Sequence, residues 1–169
     1  MLLGERRIPF AVVGAAAMAV HGVSRATHDI DILVVDTRCL NRETWEALAR
    51  EGMTPTVRRG DADDPLAGVV RLTGPDQAVF DVIVGRSPWQ ADALTRAGER
   101  EIDGVRVPVV AAADLVLLKL YAGGSQDMWD IEQLLAGPGR AALVAGVEAA
   151  LHSLPEEARR LWARIAGSR

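Results

Sequence analysis

The segment from residue 12 to residue 35, VVGAAAMAVHGVSRATHDIDILVV, constrains the fold more than any other part of the chain. It predicts a strand, a helix that begins at Gly14, a turn, and a second strand that opens on Asp29 and Asp31. Because side chains alternate across a strand, the two aspartates project from the same face of that second strand. Ile30, which lies between them, then faces the opposite way, into the core.

Two neighbouring carboxylates repel each other unless a positive charge lies between them. Asp29 and Asp31 therefore predict part of a divalent-cation site with oxygen ligands, and Mg²⁺ is the ion that we expect. A third carboxylate is available in AVFDVIVG, residues 78 to 85, where Asp81 is the only charged residue. Adjacent strands lie about 4.8 Å apart, so Asp81 completes the site if its strand pairs with theirs. Three such carboxylates are typical of two-metal phosphoryl or nucleotidyl transfer.

These residues resemble the nucleotidyltransferase superfamily, which includes DNA polymerase beta. The likeness rests on Gly14, on GVSRATHDIDILV over residues 22 to 34, and on the later Asp81. Within the superfamily, the chain is most similar to the AbiEii/AbiGii-type toxins and related small bacterial nucleotidyltransferases. The resemblance implies an α/β (α+β) fold, in which a mixed sheet has flanking helices and a C-terminal helical bundle.

The resemblance extends to the C-terminal half of the chain. DLVLLK, residues 114 to 119, and DMWDI, residues 127 to 131, resemble the DL-x-x-x-K and D-x-x-D-I pieces of the same toxin-like enzymes. This implies that Lys119 and Asp130 belong to the active site. From the residues alone, an N-cap at Asp127 and a structural ion pair between Lys119 and Asp130 remain an alternative. Lys119 is also the only lysine among 19 basic residues, which favours a site that excludes a planar guanidinium, although chance explains it equally well.

The resemblance also implies how a nucleoside triphosphate is held. Backbone N–H groups at Gly14 and Ala15 would contact phosphate oxygens, although the family usually has Gly-Ser or Gly-Gly at this point. The family pattern Arg-x-Thr-x-Asp-x-Asp is matched by Arg25, Thr27 and the two aspartates. Arg25 is expected near phosphate or against a carboxylate. For Thr27, a local hydrogen bond to the backbone is the alternative.

The resemblance implies a catalytic core over residues 1 to 110, and the spacing of apolar residues predicts four helices packed on it over residues 111 to 169. Within the core we expect strands over residues 8–13, 54–59, 68–74 and 78–85, helices over residues 37–51 and 87–97, and a hairpin that turns at Asp103-Gly104. Asp36 is the expected N-cap of the first of these two helices.

Composition excludes several classes of protein. Apolar residues make up 49% and charged residues 25%, which is ordinary for a globular protein and argues against general disorder. The longest apolar runs are too short to span a membrane and the first residues lack a signal-peptide layout, so a cytoplasmic protein is expected. Cys39 is the only cysteine, so no intramolecular disulfide is possible. The net charge of −4 argues against a nucleic-acid coat protein, but not against a local basic groove.

The reaction implied by the resemblance is attack of an acceptor hydroxyl on the α-phosphate of a nucleoside triphosphate. Two Mg²⁺ ions would be held by Asp29, Asp31 and Asp81, and Asp81 is expected to accept the proton of the hydroxyl. Lys119 would neutralise triphosphate oxygens.

The acceptor is left open by the sequence. A toxin-like enzyme would modify the 3′ end of tRNA, which the arginines at positions 159, 160, 164 and 169 support. An aminoglycoside-type small molecule is the rival, because the acidic chain suits a cationic acceptor. A non-catalytic nucleotide-binding or regulatory module is an alternative of another class. At 18.1 kDa the protein is small for gripping a whole tRNA, so an antitoxin partner or a homodimer is plausible.

Overall fold

The computed structural model describes residues 2–24, 27 and 29–167. The strands are β1 (Phe10–Val12), β2 (Asp29–Val34), β3 (Thr54–Arg59), β4 (Leu66–Thr73), β5 (Val79–Gly85), β6 (Gly98–Ile102) and β7 (Val105–Val109). The helices are α1 (Leu2–Glu5), α2 (Gly14–Val20), α3 (Glu46–Arg50), α4 (Pro88–Thr95), α5 (Ala112–Ala122), α6 (Ser125–Ala136), α7 (Arg140–Ala150) and α8 (Glu156–Gly167), with 3₁₀ turns at Thr37–Leu40, Arg42–Trp45 and Leu151–Ser153. Within the described residues, the strands form one mixed sheet in the order β3-β4-β5-β2-β1-β7-β6. The expected fold class is therefore confirmed.

Strand β2 occupies the middle of this sheet, with β5 parallel to it on one side and β1 antiparallel to it on the other. Helices and turns cover both of its faces, which explains the apolar run that follows the two aspartates. The sheet continues antiparallel through β4 and β3 beyond β5, whereas β7 lies parallel to β1. The pairing predicted between the strand of Asp81 and the strand of the two aspartates is confirmed.

One face of the sheet packs against α1, the 3₁₀ turns and α3. Trp45 is buried in this cluster, and its indole N–H donates to the carbonyl of Cys39 at 2.7 Å. Valines of β2, β4 and β5 that are 0 to 1% exposed surround them: Val34, Val70, Val82 and Val84. Burial raises the pKa of the Cys39 thiol to about 11, so this lone cysteine is a packed core residue.

The opposite face of the sheet carries the larger core, beneath α2, α4 and the C-terminal helices. Alanines at positions 15 to 17 are buried, and their small side chains let α2 lie close to β2. Helix α5 contributes the most apolar surface, and α6, α7 and α8 each pack against it. The predicted C-terminal helices are thus a bundle arranged around α5.

The single helix predicted over residues 37–51 is wrong. Two 3₁₀ turns and the short α3 occupy this segment, and the break falls at Asn41, whose backbone is extended with φ −95° and ψ 133°. Arg59 of β3 donates to the side-chain oxygen of Asn41 at 3.0 Å and to the carbonyl of Leu40 at 2.8 Å. These tertiary contacts outweigh the local helix preference. Asp36 still acts as an N-cap, because its carboxylate accepts the N–H of Arg38 at 2.9 Å.

The other predicted elements are present, with shifted ends. The first strand is shorter than expected, and the helix predicted over residues 87–97 is the shorter α4. The hairpin of β6 and β7 turns at Asp103 and Gly104, where φ values of 49° and 78° suit a tight two-residue turn. No helix in the described part of the chain is long and apolar enough to cross a membrane.

Candidate active site

A row of polar side chains crosses the sheet where β4, β5 and β2 lie side by side. Asp81 is the register partner of Asp31 in the parallel pair, and Arg71 is the partner of Asp81 in the antiparallel pair. Directly paired residues project from the same face, so these three side chains share one face. Asp29 lies two residues before Asp31 and shares it too. The sheet therefore brings the three predicted carboxylates together and places an arginine beside them.

Gly14 makes room for the carboxylate of Asp31. Its φ of +61° lies in the left-handed region, and a Cβ at this position would stand 1.9 Å from Oδ2 of Asp31. The backbone next to it is fixed by the N–H of Val13, which donates to the carbonyl of Asp31 at 2.9 Å. Glycine is therefore required here for the position of Asp31. A contact from Gly14 and the buried Ala15 to phosphate stays a prediction.

Arg71 is held by two of the carboxylates. Its Nε and Nη2 donate to Oδ1 and Oδ2 of Asp81 at 2.8 and 2.6 Å, and Nη2 lies 3.8 Å from Oδ2 of Asp29. The hydrogen bonds with Asp81 raise the pKa of Arg71 above its ordinary value, so the guanidinium stays charged. The positive charge expected near the paired carboxylates is thus supplied, in this structure, by the protein itself.

The three aspartates fit a divalent cation in kind, and the sheet sets them on one face. Their oxygens are the ligands that Mg²⁺ prefers, and the missing side chain at Gly14 leaves room for the Asp31 carboxylate itself. Among residues 2–24, 27 and 29–167, however, no group of three His, Cys, Asp or Glu side chains is arranged to hold a metal ion. Both oxygens of Asp81 accept hydrogen bonds from Arg71. A cation at Asp81 would therefore meet the positive charge of Arg71, which opposes its binding.

Lys119 lies buried between α5 and α6, where two carboxylates bind it. Its Nζ donates to Oδ1 of Asp127 at 3.2 Å and to Oδ2 of Asp130. Asp127 also accepts the N–H of Gly124 at 3.2 Å, and Gln126 donates to the other oxygen of Asp130 at the same distance. The ion pair of the alternative interpretation is thus present. The N-cap of α6 is Gly124, however, and Asp127 is the third helical residue, whose carboxylate accepts the N–H of that cap. An active-site role for Lys119 and Asp130 stays a prediction.

A cavity of about 300 Å³ brings together predicted residues from distant parts of the chain. Gly14, Asp31 and Lys119 line it, together with Asp127 and a largely apolar set from the sheet and α5: Val13, Leu33, Pro65, Leu66, Ile83, Leu115, Leu118, Tyr121 and Ala122. An apolar cavity with a few convergent polar groups is the usual form of a small-molecule site.

A second cavity of about 560 Å³ lies over β3 and β4, and Pro65 and Leu66 border both cavities. Asp81, Arg71 and Arg58 line it on the same face of the sheet as the carboxylate row. The row therefore runs from one cavity to the other, with Asp31 at the smaller and Asp81 at the larger.

The turn before β2 holds the remaining predicted residues. The Oγ1 of Thr27 donates to the carbonyl of Asp29 at 3.0 Å and accepts its N–H at 3.3 Å, so the local hydrogen-bond alternative is observed. The Nε2 of His21 lies 2.8 Å from the carbonyl oxygen of Val110. Arg25 lies outside the described residues.

Sequence reasoning missed two residues of this region. Arg71 is the only charged residue in LAGVVRLT, and the signal that found Asp81 in its own strand applies equally to it. Gln90 is fully buried on α4, lines the smaller cavity and carried no such signal. Its Oε1 accepts the N–H groups of Arg86 and Ser87, each at 2.9 Å, whereas its Nε2 has no hydrogen-bond partner in the part of the chain that the structure describes.

The sequence matches no protein-family model and no curated protein significantly, but solved structures resemble it. The solution structure of the antibiotic-resistance factor ANT(2″)-Ia matches with a TM-score of 0.57 and 15% identity, over 89% of this chain and 86% of that chain. The crystal structure of ANT(2″)-Ia in complex with adenylyl-2″-tobramycin matches with a TM-score of 0.55 and 16% identity, over 89% of this chain and 91% of that chain. A Thermotoga maritima protein assigned as a nucleotidyltransferase matches with a TM-score of 0.56 and 18% identity, over 80% of this chain and 86% of that chain. The chain has a nucleotidyltransferase fold.

This nucleotidyltransferase fold is the one that Gly14, the two aspartates of β2 and Asp81 led us to expect. The match with ANT(2″)-Ia covers most of both chains, so the shared architecture reaches beyond the carboxylate-bearing sheet into the C-terminal helices.

Proposed function

We propose that the chain transfers a nucleoside monophosphate from a nucleoside triphosphate to a hydroxyl acceptor: the acceptor oxygen bonds to the α-phosphorus, the α–β phosphoanhydride bond breaks, and pyrophosphate leaves. The observation that carries this proposal is the register of β5 against β2, which sets Asp81 beside Asp31 with Asp29 on the same face. The nucleotidyltransferase fold around these strands and the space left by Gly14 support it.

Asp29, Asp31 and Asp81 would hold Mg²⁺, two ions by likeness to the superfamily. Bound Mg²⁺ supplies neutralisation of triphosphate charge and acidifies the attacking hydroxyl. We propose that the Asp81 carboxylate accepts the proton of the acceptor hydroxyl, and its position at the border of the larger cavity supports this role. Asp31, fixed against Gly14, faces the smaller cavity.

The smaller cavity is the proposed nucleotide site. The first N–H groups of α2, at Gly14 and Ala15, would donate hydrogen bonds to phosphate oxygens. Lys119 lines the same cavity, and its bonds to Asp127 and Asp130 orient its ammonium. We also propose phosphate contacts for Arg25 and a supporting role for Thr27 at the turn.

For the acceptor we propose RNA, and specifically the 3′ end of tRNA, as expected for a toxin-like enzyme. Arg58 and Arg71 line the cavity next to Asp81, which favours a phosphate-bearing acceptor. The exposed surface of α8 adds three arginines, at positions 159, 160 and 164. An antitoxin or a second copy of the chain would extend this small surface.

A small cationic acceptor is the second candidate. The structural match with ANT(2″)-Ia covers 89% of this chain, and the crystal structure of that protein contains adenylyl-2″-tobramycin. The net charge of −4 also suits an aminoglycoside-type acceptor, because carboxylates attract ammonium groups.

The test is incubation with Mg²⁺ and each α-³²P-labelled nucleoside triphosphate in turn, with total RNA or with tobramycin as acceptor. Label should enter a tRNA-sized band, and Asp29→Asn should abolish it while circular dichroism shows a folded protein. Asp103→Asn is the matched control, because it makes the same chemical change in a hairpin turn where asparagine tolerates positive φ.

Label on tobramycin alone would move the acceptor to the second candidate. Nucleotide binding by calorimetry without any transfer would favour a non-catalytic nucleotide-binding module. Transfer that survives in a folded Asp29→Asn variant would overturn the assignment of the carboxylates.

A further inference from the structure

Arg71 lies where a cation that binds the carboxylates would have to lie. Both oxygens of Asp81 accept its hydrogen bonds, and its Nη2 also approaches Oδ2 of Asp29. A guanidinium only donates and a divalent cation only accepts lone pairs, so the two compete for the same carboxylate oxygens. Each carboxylate oxygen keeps a second lone pair, but two positive charges at Asp81 repel each other, so binding of the ion weakens the hold of Arg71.

The surroundings of Arg71 allow it to leave. Its side chain is 54% exposed, whereas that of Asp81 is 14% exposed, so the arginine is the partner with more room to move. Arg71 also lines the cavity of about 560 Å³ beside it. Rotation of the guanidinium into this space requires no repacking of the core.

Resting on the proposed function, we propose that Arg71 is a positioning residue that holds Asp81 in place until a divalent cation displaces it. In the absence of the ion, the guanidinium offsets the repulsion among the three carboxylates. When the ion binds, Arg71 moves toward Arg58 in the larger cavity, and its positive charge then faces the side from which the acceptor enters. Binding of the ion thereby frees Arg71 for an anionic group.

This competition lowers the apparent affinity for the ion. The apparent affinity equals the intrinsic affinity multiplied by the fraction of molecules in which Arg71 has released Asp81. If about one molecule in ten is released, removal of the guanidinium tightens binding by about tenfold. A residue with a merely structural role would do the reverse, because its loss would disorder the site and weaken binding.

The experiment is titration of the full chain with Mn²⁺, an oxygen-preferring divalent cation that electron paramagnetic resonance detects directly. Arg71→Gln should bind Mn²⁺ about tenfold more tightly than the unaltered protein. Arg58→Gln is the matched control, because it removes the same charge from the same face and cavity without a carboxylate contact among the described residues. Its affinity should change by less than about threefold, since exposed charges are screened.

Two further variants sharpen the result. Arg71→Lys keeps the charge but loses the pair of hydrogen bonds to Asp81. Its affinity for Mn²⁺ should therefore fall between that of the unaltered protein and that of Arg71→Gln. Adding Asp81→Asn to Arg71→Gln should cancel the gain, because the gain acts through Asp81.

Equal gains in Arg71→Gln and Arg58→Gln would overturn the proposal in favour of general electrostatics. No gain in Arg71→Gln, with Mn²⁺ still bound by the unaltered protein, would overturn it and leave the metal-dependent function standing. Absence of Mn²⁺ binding from every folded variant would overturn both together.

Discussion

At the scale of single residues, a missing methyl group decides where Asp31 stands. The backbone of Gly14 approaches the Asp31 carboxylate so closely that no side chain fits between them, and its positive φ adds a second reason for glycine. A residue in the turn between a strand and a helix therefore determines the position of a carboxylate on the neighbouring strand.

Gly14→Ala should lower the free energy of unfolding by about 2–3 kcal/mol, because the new Cβ must displace Asp31 and adopt a strained φ. Gly22→Ala separates the two effects, since Gly22 has a φ of +88° but, among the residues that the structure describes, no atom lies within 4 Å of an added Cβ. The control should lose only about 1 kcal/mol. Urea denaturation measures both, and equal losses would contradict a steric role.

Lys119 and Asp130 form the most buried ion pair among the described residues, with side chains 7% and 0% exposed. Lys119→Met should cost about 3–5 kcal/mol, because it leaves the Asp130 carboxylate buried without its cation. The double variant Lys119→Met/Asp130→Leu should cost clearly less than the sum of the two single changes. A double-mutant cycle by urea denaturation measures this coupling, and additive losses would show that the pair is not coupled.

At the scale of elements, the local preference of a segment for strand or helix predicted its structure correctly where the pattern of buried residues agreed with that preference. The apolar alternation in β4 and β5 and the helical spacing in α5 to α8 predicted these elements correctly. The segment from residue 37 to residue 50 is the exception. Its break at Asn41 depends on Arg59, which lies on a strand that follows in the chain, and no local pattern reports that contact.

Trp45 holds this broken segment onto the sheet. Trp45→Ala should lower the free energy of unfolding by about 3–5 kcal/mol, because it leaves a large cavity and an unsatisfied carbonyl at Cys39. Trp129→Ala is the control, since Trp129 is 44% exposed and should lose about 0.5 kcal/mol or less. Thermal or urea unfolding distinguishes them, and similar losses would show that Trp45 is not an anchor.

At the scale of the whole molecule, one sheet carries two separate cores. Val34 and Leu33 are neighbours on β2 and are both fully buried, one in each core. Loss of either core therefore exposes a strand that the other core needs. The row of Asp29, Asp31 and Asp81 lies on the face of the sheet that carries the larger core.

The two cores should accordingly unfold together. Variants that keep only Trp45 or only Trp162 place one fluorescent probe in each core. Their urea transitions should coincide with each other and with far-ultraviolet circular dichroism. An earlier transition for either probe would show that its core unfolds independently.

Local spacing was enough to predict that Asp29 and Asp31 share a face, because side-chain alternation depends on neighbouring residues, and the resemblance of short motifs to a known family led to the fold class. Whether the strand of Asp81 pairs with the strand of the two aspartates was decided by the tertiary structure. Tertiary structure alone decided that Arg71 holds Asp81, that two aspartates bind Lys119 and that Gln90 lines the smaller cavity. Each of these contacts depends on the register of separate strands or on the packing of separate helices. Such distances are set by the whole folded chain, and no single segment encodes them.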